Sequence, residues 1–187
     1  MTILHINNHI TDTYQGLLES FLSTVDSEWD HTATESHKYP PEDAMYIERL
    51  DDISGLGFTV CQRYMASAFP SFGLSKKEAL DLPPFHSSGT TVVALINSGA
   101  NFWKHSDEWI DENHEYKKEK TLGILRTALS EAEIGSCCSN LVSALVGDSP
   151  QPFSRILKYI MDWRSHLINR NDNKAFLPIR RTRCAEV

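Results

Sequence analysis

In TDTYQGLLESFLSTVDSEW, residues 11–29, the apolar positions are Tyr14, Leu17, Leu18, Phe21, Leu22, Val25 and Trp29. Steps of three and four follow the 3.6-residue turn of an α-helix and align these side chains along one face. The same spacing returns along most of the chain. No other feature restricts the fold as much, because a set of one-faced helices has to bury its stripes against one another.

Start and stop signals delimit the elements. Asp12 with Gln15 has the pattern of a capping box opening the first helix. In SHKYPPEDAMYIERL the two prolines allow a helix to begin, which predicts a short helix from about Pro41 to Asp52, interrupted by the glycines of SGLGF. A further stripe, Leu56, Val60, Cys61, Tyr64 and Ala68, runs up to FPSFG, where Pro70 and Gly73 end it. Ser75 and Glu78 form a second capping-box pattern, and LPPFHSSG stops the short helix that follows.

Val92, Val93, Ile96, Ala100 and Trp103 place a central helix from Thr90 onward, with Ser98, Gly99 and Ala100 small enough for a close neighbour. A glycine inside a helix costs about 1 kcal/mol, so Gly99 is also a place for a kink. Beyond the polar run DENHEYKKEK, Leu122, Leu125 and Leu129 mark another helix. SCCSNLVSALVG follows with Gly147 as its stop, and PFSRILKYIMDWRSHLI makes the last helix. Alternation typical of strands occurs only in MTILHI and AFLPI. The expected fold is all-α, a single globular domain of about seven or eight helices spanning residues 1–187, with 170–187 as a basic tail of flexible-end composition. A chain of 187 residues hides roughly 70% of its unfolded surface, enough for one core.

No stretch reaches the roughly 20 apolar residues of a membrane span, and TTVVALINSGANFW, the longest candidate, contains two asparagines, a serine and a glycine. The beginning MTILHINNHITDTY has neither a cationic region nor a continuous apolar one, so a cytoplasmic location is expected. Cys61, Cys137, Cys138 and Cys184 never form CxxC, which leaves buried free thiols as the expectation, with no disulfide framework and no zinc site.

The net charge of −7 is unevenly spread. Residues 1–60 carry eleven acids against two bases, a local −9; residues 61–150 carry eleven against eight, −3; residues 151–187 carry three against eight, +5. Either the two ends fold together and partly neutralise each other, or the acidic third forms a surface patch whose summed field steers a cationic partner. Nucleic-acid binding is expected, if anywhere, only at the basic end around Arg180, Arg181 and Arg183.

Motifs exclude several functions. There is no phosphate-binding glycine loop, no GxSxG elbow, no HExxH helix, no dinucleotide fingerprint and no calcium loop. Arg164 and His166 are two apart, too close for the Arg to His spacing of four to six that helical RNases use. Two clusters remain. In NFWKHSDEWIDENHEY, His105, Glu108, Asp111 and His114 have spacings that converge on one helix face, which would suit a metal-dependent hydrolase. Phe102, Trp103 and Trp109 make an anchored helix junction the plainer reading. In the acidic third, Trp29 stands among carboxylates, and Asp26, Glu28, Asp30, Glu35, Glu48, Asp51 and Asp52 would give a basic partner its pairing groups. The expected function is a non-catalytic acidic binding protein, of the antitoxin or immunity type, that covers the nucleic-acid site of a basic partner such as a nuclease toxin and needs no cofactor. The alternative is the helical hydrolase built on His105, Glu108, Asp111 and His114.

Overall fold

A computed structural model describes residues 3–6, 9–36, 38, 44–110 and 115–175. The described residues form seven α-helices: α1 (Gln15–Ser36), α2 (Ala44–Ala68), α3 (Lys76–Leu80), α4 (Val92–His105), α5 (Glu115–Leu125), α6 (Cys137–Val146) and α7 (Pro152–Ala175). The all-α expectation holds, and no helix is long and apolar enough to cross a membrane among the described residues. The alternation in MTILHI becomes a small antiparallel hairpin, β1 (Ile3–Ile6) against β2 (His9–Asp12), with Ile3 opposite Asp12 and Ile6 opposite His9. AFLPI begins at the last residue of α7 and otherwise lies outside the described residues, as do Arg180, Arg181 and Arg183.

α2 is the hub, packed against α1, α4, α6 and α7. Its Phe58, Cys61 and Met65 are buried with Val93 and Ile96 of α4, Leu141 of α6, and Phe153, Ile160 and Trp163 of α7. The rings of Phe58 and Phe153 meet with centroids 6.0 Å apart. Each large side chain hidden in this way contributes about 1.5–3 kcal/mol of transfer free energy.

The expected break of α2 at its glycines is overturned, since one helix runs from Ala44 through Gly55 and Gly57 to Ala68. A β-carbon on Gly55 would lie 2.1 Å from the Trp103 ring, and one on Gly57 2.2 Å from the Phe153 ring. The two residues are notches into which α4 and α7 press an aromatic ring. Gly99 likewise leaves α4 unbroken, because a β-carbon there would meet Phe58 at 2.9 Å and Leu141 at 3.0 Å.

Local caps follow the sequence signals in part. Ser75 and Glu78 close a complete capping box on α3, and Thr91 caps α4. Asp12 Oδ1 accepts the amide hydrogens of Tyr14 and Gln15, but the Gln15 side chain turns to Glu19 instead of completing a box. Gly147, at φ 65°, ends α6 and donates its N–H to the Ser143 carbonyl at 2.8 Å.

Two helices are capped from elsewhere in the chain. Asp26 of α1 accepts the N–H of Phe153 at 2.7 Å and that of Ser154 at 2.8 Å, the second and third residues of α7. Asp51 of α2 accepts the N–H of Ser139, the third residue of α6, at 2.9 Å. A carboxylate there satisfies amides that have no intrahelical partner and faces the positive end of the helix dipole.

Candidate functional site

The acidic residues of the first third divide into those the fold uses and those it leaves on the surface. Asp26 is only 4% exposed and spends both oxygens on α7 and the Ser154 hydroxyl, which removes it from the expected binding set. Asp51 is tied to Ser139 through both its N–H and its hydroxyl, and burial pushes its carboxyl above the usual range although those hydrogen bonds pull the other way. Asp52 accepts the Trp103 indole N–H at 3.0 Å and keeps an exposed side. Trp29 is half-buried and meets Phe153 edge-on at 6.4 Å, so it anchors α1 instead of standing free among acids.

Glu28, Asp30 and Glu48 are exposed, and Glu35 is partly so. Glu28 pairs with Arg49 of α2 at 3.4 Å, and Glu35 with Lys38 at 2.6 Å, which holds Glu35 below the usual carboxylate range. Exposed pairs of this kind are worth little to stability and leave the carboxylates available.

The seven-residue apolar stripe of α1 is two stripes. Leu18, Leu22 and Val25 are buried, whereas Tyr14, Leu17 and Phe21 are 46, 52 and 51% exposed. The exposed set borders a groove of about 440 Å³ whose other wall is Val60, Arg63 and Tyr64 of α2. Leu56, half exposed, lies one turn from Val60 on the same side of α2. Helical steps carry the α1 row onward from Phe21 to Glu28 and Glu35, and the α2 row from Leu56 to Asp52, Glu48 and Met45. The outer face of this helix pair is therefore apolar at one end and carries carboxylates, with Arg49 and Met45 among them, at the other. Sequence reasoning missed its apolar half. The available signal was the width of the stripe, which a single buried face of α1 does not need.

Near the end of α2 the sequence placed Tyr64 in the core stripe, and it is more than that. Its hydroxyl donates to Asp12 Oδ2, which also accepts from Arg164 Nη1 at 2.7 Å, while Arg164 Nη1 reaches Gln15 Oε1 at 2.6 Å. The Asp12 side chain is 5% exposed. Burial, with Asp12 alongside, raises the Tyr64 phenol, so this cluster is a closed lock between the hairpin end, α2 and α7.

Of the metal candidates, His105 Nδ1 and Glu108 Oε2 lie 2.9 Å apart, both substantially exposed. Asp111 and His114 lie outside the described residues, among which no three His, Cys, Asp or Glu side chains converge as a metal site. Around the pair, Phe102 and Trp109 meet edge-on at 5.7 Å and Trp103 fills the Gly55 notch. The aromatic knot anchors the end of α4.

The fold and this surface define an all-α protein with an amphipathic, half-acidic face on its first two long helices. Compared with family models, curated proteins and solved structures, the chain matches none.

Proposed function

We propose that the chain is a non-catalytic binding protein whose α1–α2 face docks on a basic protein. The observation that carries this reading is the run of Tyr14, Leu17, Phe21 and Leu56, each about half exposed, continuing into Glu28, Glu48 and Asp52. Exposed large apolar side chains gathered along one groove supply the desolvated anchors of an interface, and carboxylates at its edge supply steering and partner choice. A basic groove built to hold phosphates is attracted to such carboxylates and cannot cleave them. That logic favours an antitoxin or immunity-type inhibitor of a nuclease toxin as the particular member of the class.

The test is capture of the partner from the native cells, followed by association kinetics with the purified pair. A stoichiometric basic protein is expected, eluting as salt rises. Glu28→Lys with Glu48→Lys should slow association by roughly tenfold or more at low salt, and Leu17→Ala with Phe21→Ala should speed dissociation, both at unchanged helicity. Association indifferent to the charge reversals would sink the reading. The His105–Glu108 contact is the one observation on the side of a metal-dependent hydrolase, and a bound transition metal with no protein partner would favour it.

A further inference from the structure

We propose that the cleft between α3, α4 and α5 binds a small organic molecule carrying two or more phosphate groups. This inference is independent of the docking face. The cleft holds about 750 Å³, within the size range of small-molecule sites. Lys76 and Lys77 of α3 and Lys117 and Lys120 of α5 line it, and an adjoining hollow of about 360 Å³ shares Lys76 and adds Lys104 of α4. Five lysines from three helices thus line the two adjoining hollows in a chain of net charge −7, with the Lys104 ammonium donating to Gln62 Oε1 at 2.5 Å.

Lys76, Lys77, Lys117 and Lys120 make no ion pair with a carboxylate among the described residues. Asp81 and Glu108 also line the cleft, the latter turned to His105. Burial and the Lys120 charge push the Lys76 ammonium below its ordinary pKa, and burial and the Lys76 charge do the same to Lys104. Like charges held together without an ion-pair partner among the described residues cost folding free energy, and a phosphorylated ligand is the kind of group that offsets that cost.

The wall from α4 adds neutral recognition. Asn97 is only 7% exposed and lines both hollows. Its Oδ1 accepts from Gln62 Nε2 at 3.0 Å, which leaves its Nδ2 donors for a ligand. Leu80, Ala94 and Ile124 supply apolar surface for an organic body. A long nucleic acid fits less well, because beyond the cleft it would have to run across a molecule whose net charge is negative.

Isothermal titration of the full chain with ATP and with pyrophosphate, at low and high salt, tests the proposal. ATP should bind more tightly than pyrophosphate and lose affinity as salt rises. Lys76→Gln with Lys120→Gln should weaken ATP by roughly tenfold or more while the melting temperature stays level or rises, since repulsion is relieved. Lys158→Gln, on the exposed side of α7, should leave binding unchanged. The proposal is overturned if neither probe binds, if the double variant binds ATP as well as the native chain, or if pyrophosphate binds as tightly as ATP. Tighter binding of a single-stranded RNA through the same lysines would replace it with a polyanion site.

Discussion

Asp51 illustrates how one side chain is pulled in two directions. Its oxygen caps α6 best when charged, yet its partly buried place disfavours the charge, and burial wins, raising the carboxyl above its ordinary value. A raised folded-state pKa means that the folded chain binds more protons than the unfolded one between the two values. Stability from this group is therefore full below the ordinary carboxylate pKa of about 4 and is lost as pH rises through the raised one. Asp51→Asn keeps an oxygen for Ser139 without a charge to bury. The variant should equal or exceed the native chain in urea unfolding near neutral pH, and its advantage should shrink toward about pH 4. An advantage that instead grows on acidification would contradict this account. Gly55 and Gly57 are the other residues whose meaning depends on what faces them. Both sit in the middle of α2, where a side chain would occupy the space of an aromatic ring.

At the scale of elements, α7 depends on a residue outside itself. It has Pro152 at its first position, and its next two amides reach Asp26. Asp26→Ala would leave a buried amide and a neighbouring one without acceptors, and should cost roughly 2–4 kcal/mol in urea unfolding. Asp26→Asn, which retains one acceptor oxygen, should cost less, and equal losses for the two would rule out the cap as the cause. The helices themselves were readable from the chain: periodicity places α1, α4, α6 and α7, and Ser75 and Gly147 mark ends that the structure reproduces. What periodicity could not supply was the partner of each face. The α1 stripe merged a buried row with an exposed one, the α2 glycines looked like a break because Trp103 and Phe153 are far along the chain, and Asp26 looked like a surface acid because α7 begins 126 residues later. The lysine cleft was hidden for the same reason: KK at 76–77 and KKEK at 117–120 are ordinary polar runs until α3 and α5 are brought to one hollow.

For the whole molecule, the charge gradient resolves in part by folding the ends together. α1 packs on α7, and the buried Asp12–Arg164 pair joins the end of the hairpin to α7. Glu28, Glu35, Glu48 and Asp52 stay on the α1–α2 face. Packing also encloses the thiols: Cys61, Cys137 and Cys138 are free and buried, and burial pushes the Cys61 thiol up to about 12. Thiolate is the reactive form, so these groups react only through opening of the fold. In a Cys184→Ser variant, a colorimetric thiol reagent should find the three remaining cysteines silent under native conditions and label them together as the protein unfolds. Rapid labelling of one of them in the native state would show a local opening that the packing does not provide for.

The Asp26 cap and the Asp12–Arg164 pair have a consequence for the order in which the chain is made. At synthesis rates of 5–20 residues per second, a ribosome needs roughly 6–25 s to travel from Asp26 to Phe153. During that interval α1 has emerged without the helix it caps, Trp29 without the ring it rests on, and α2 with its Gly57 notch unfilled. The native partners of Asp12, Asp26, Trp29 and Gly57 are complete only once α7 has been made.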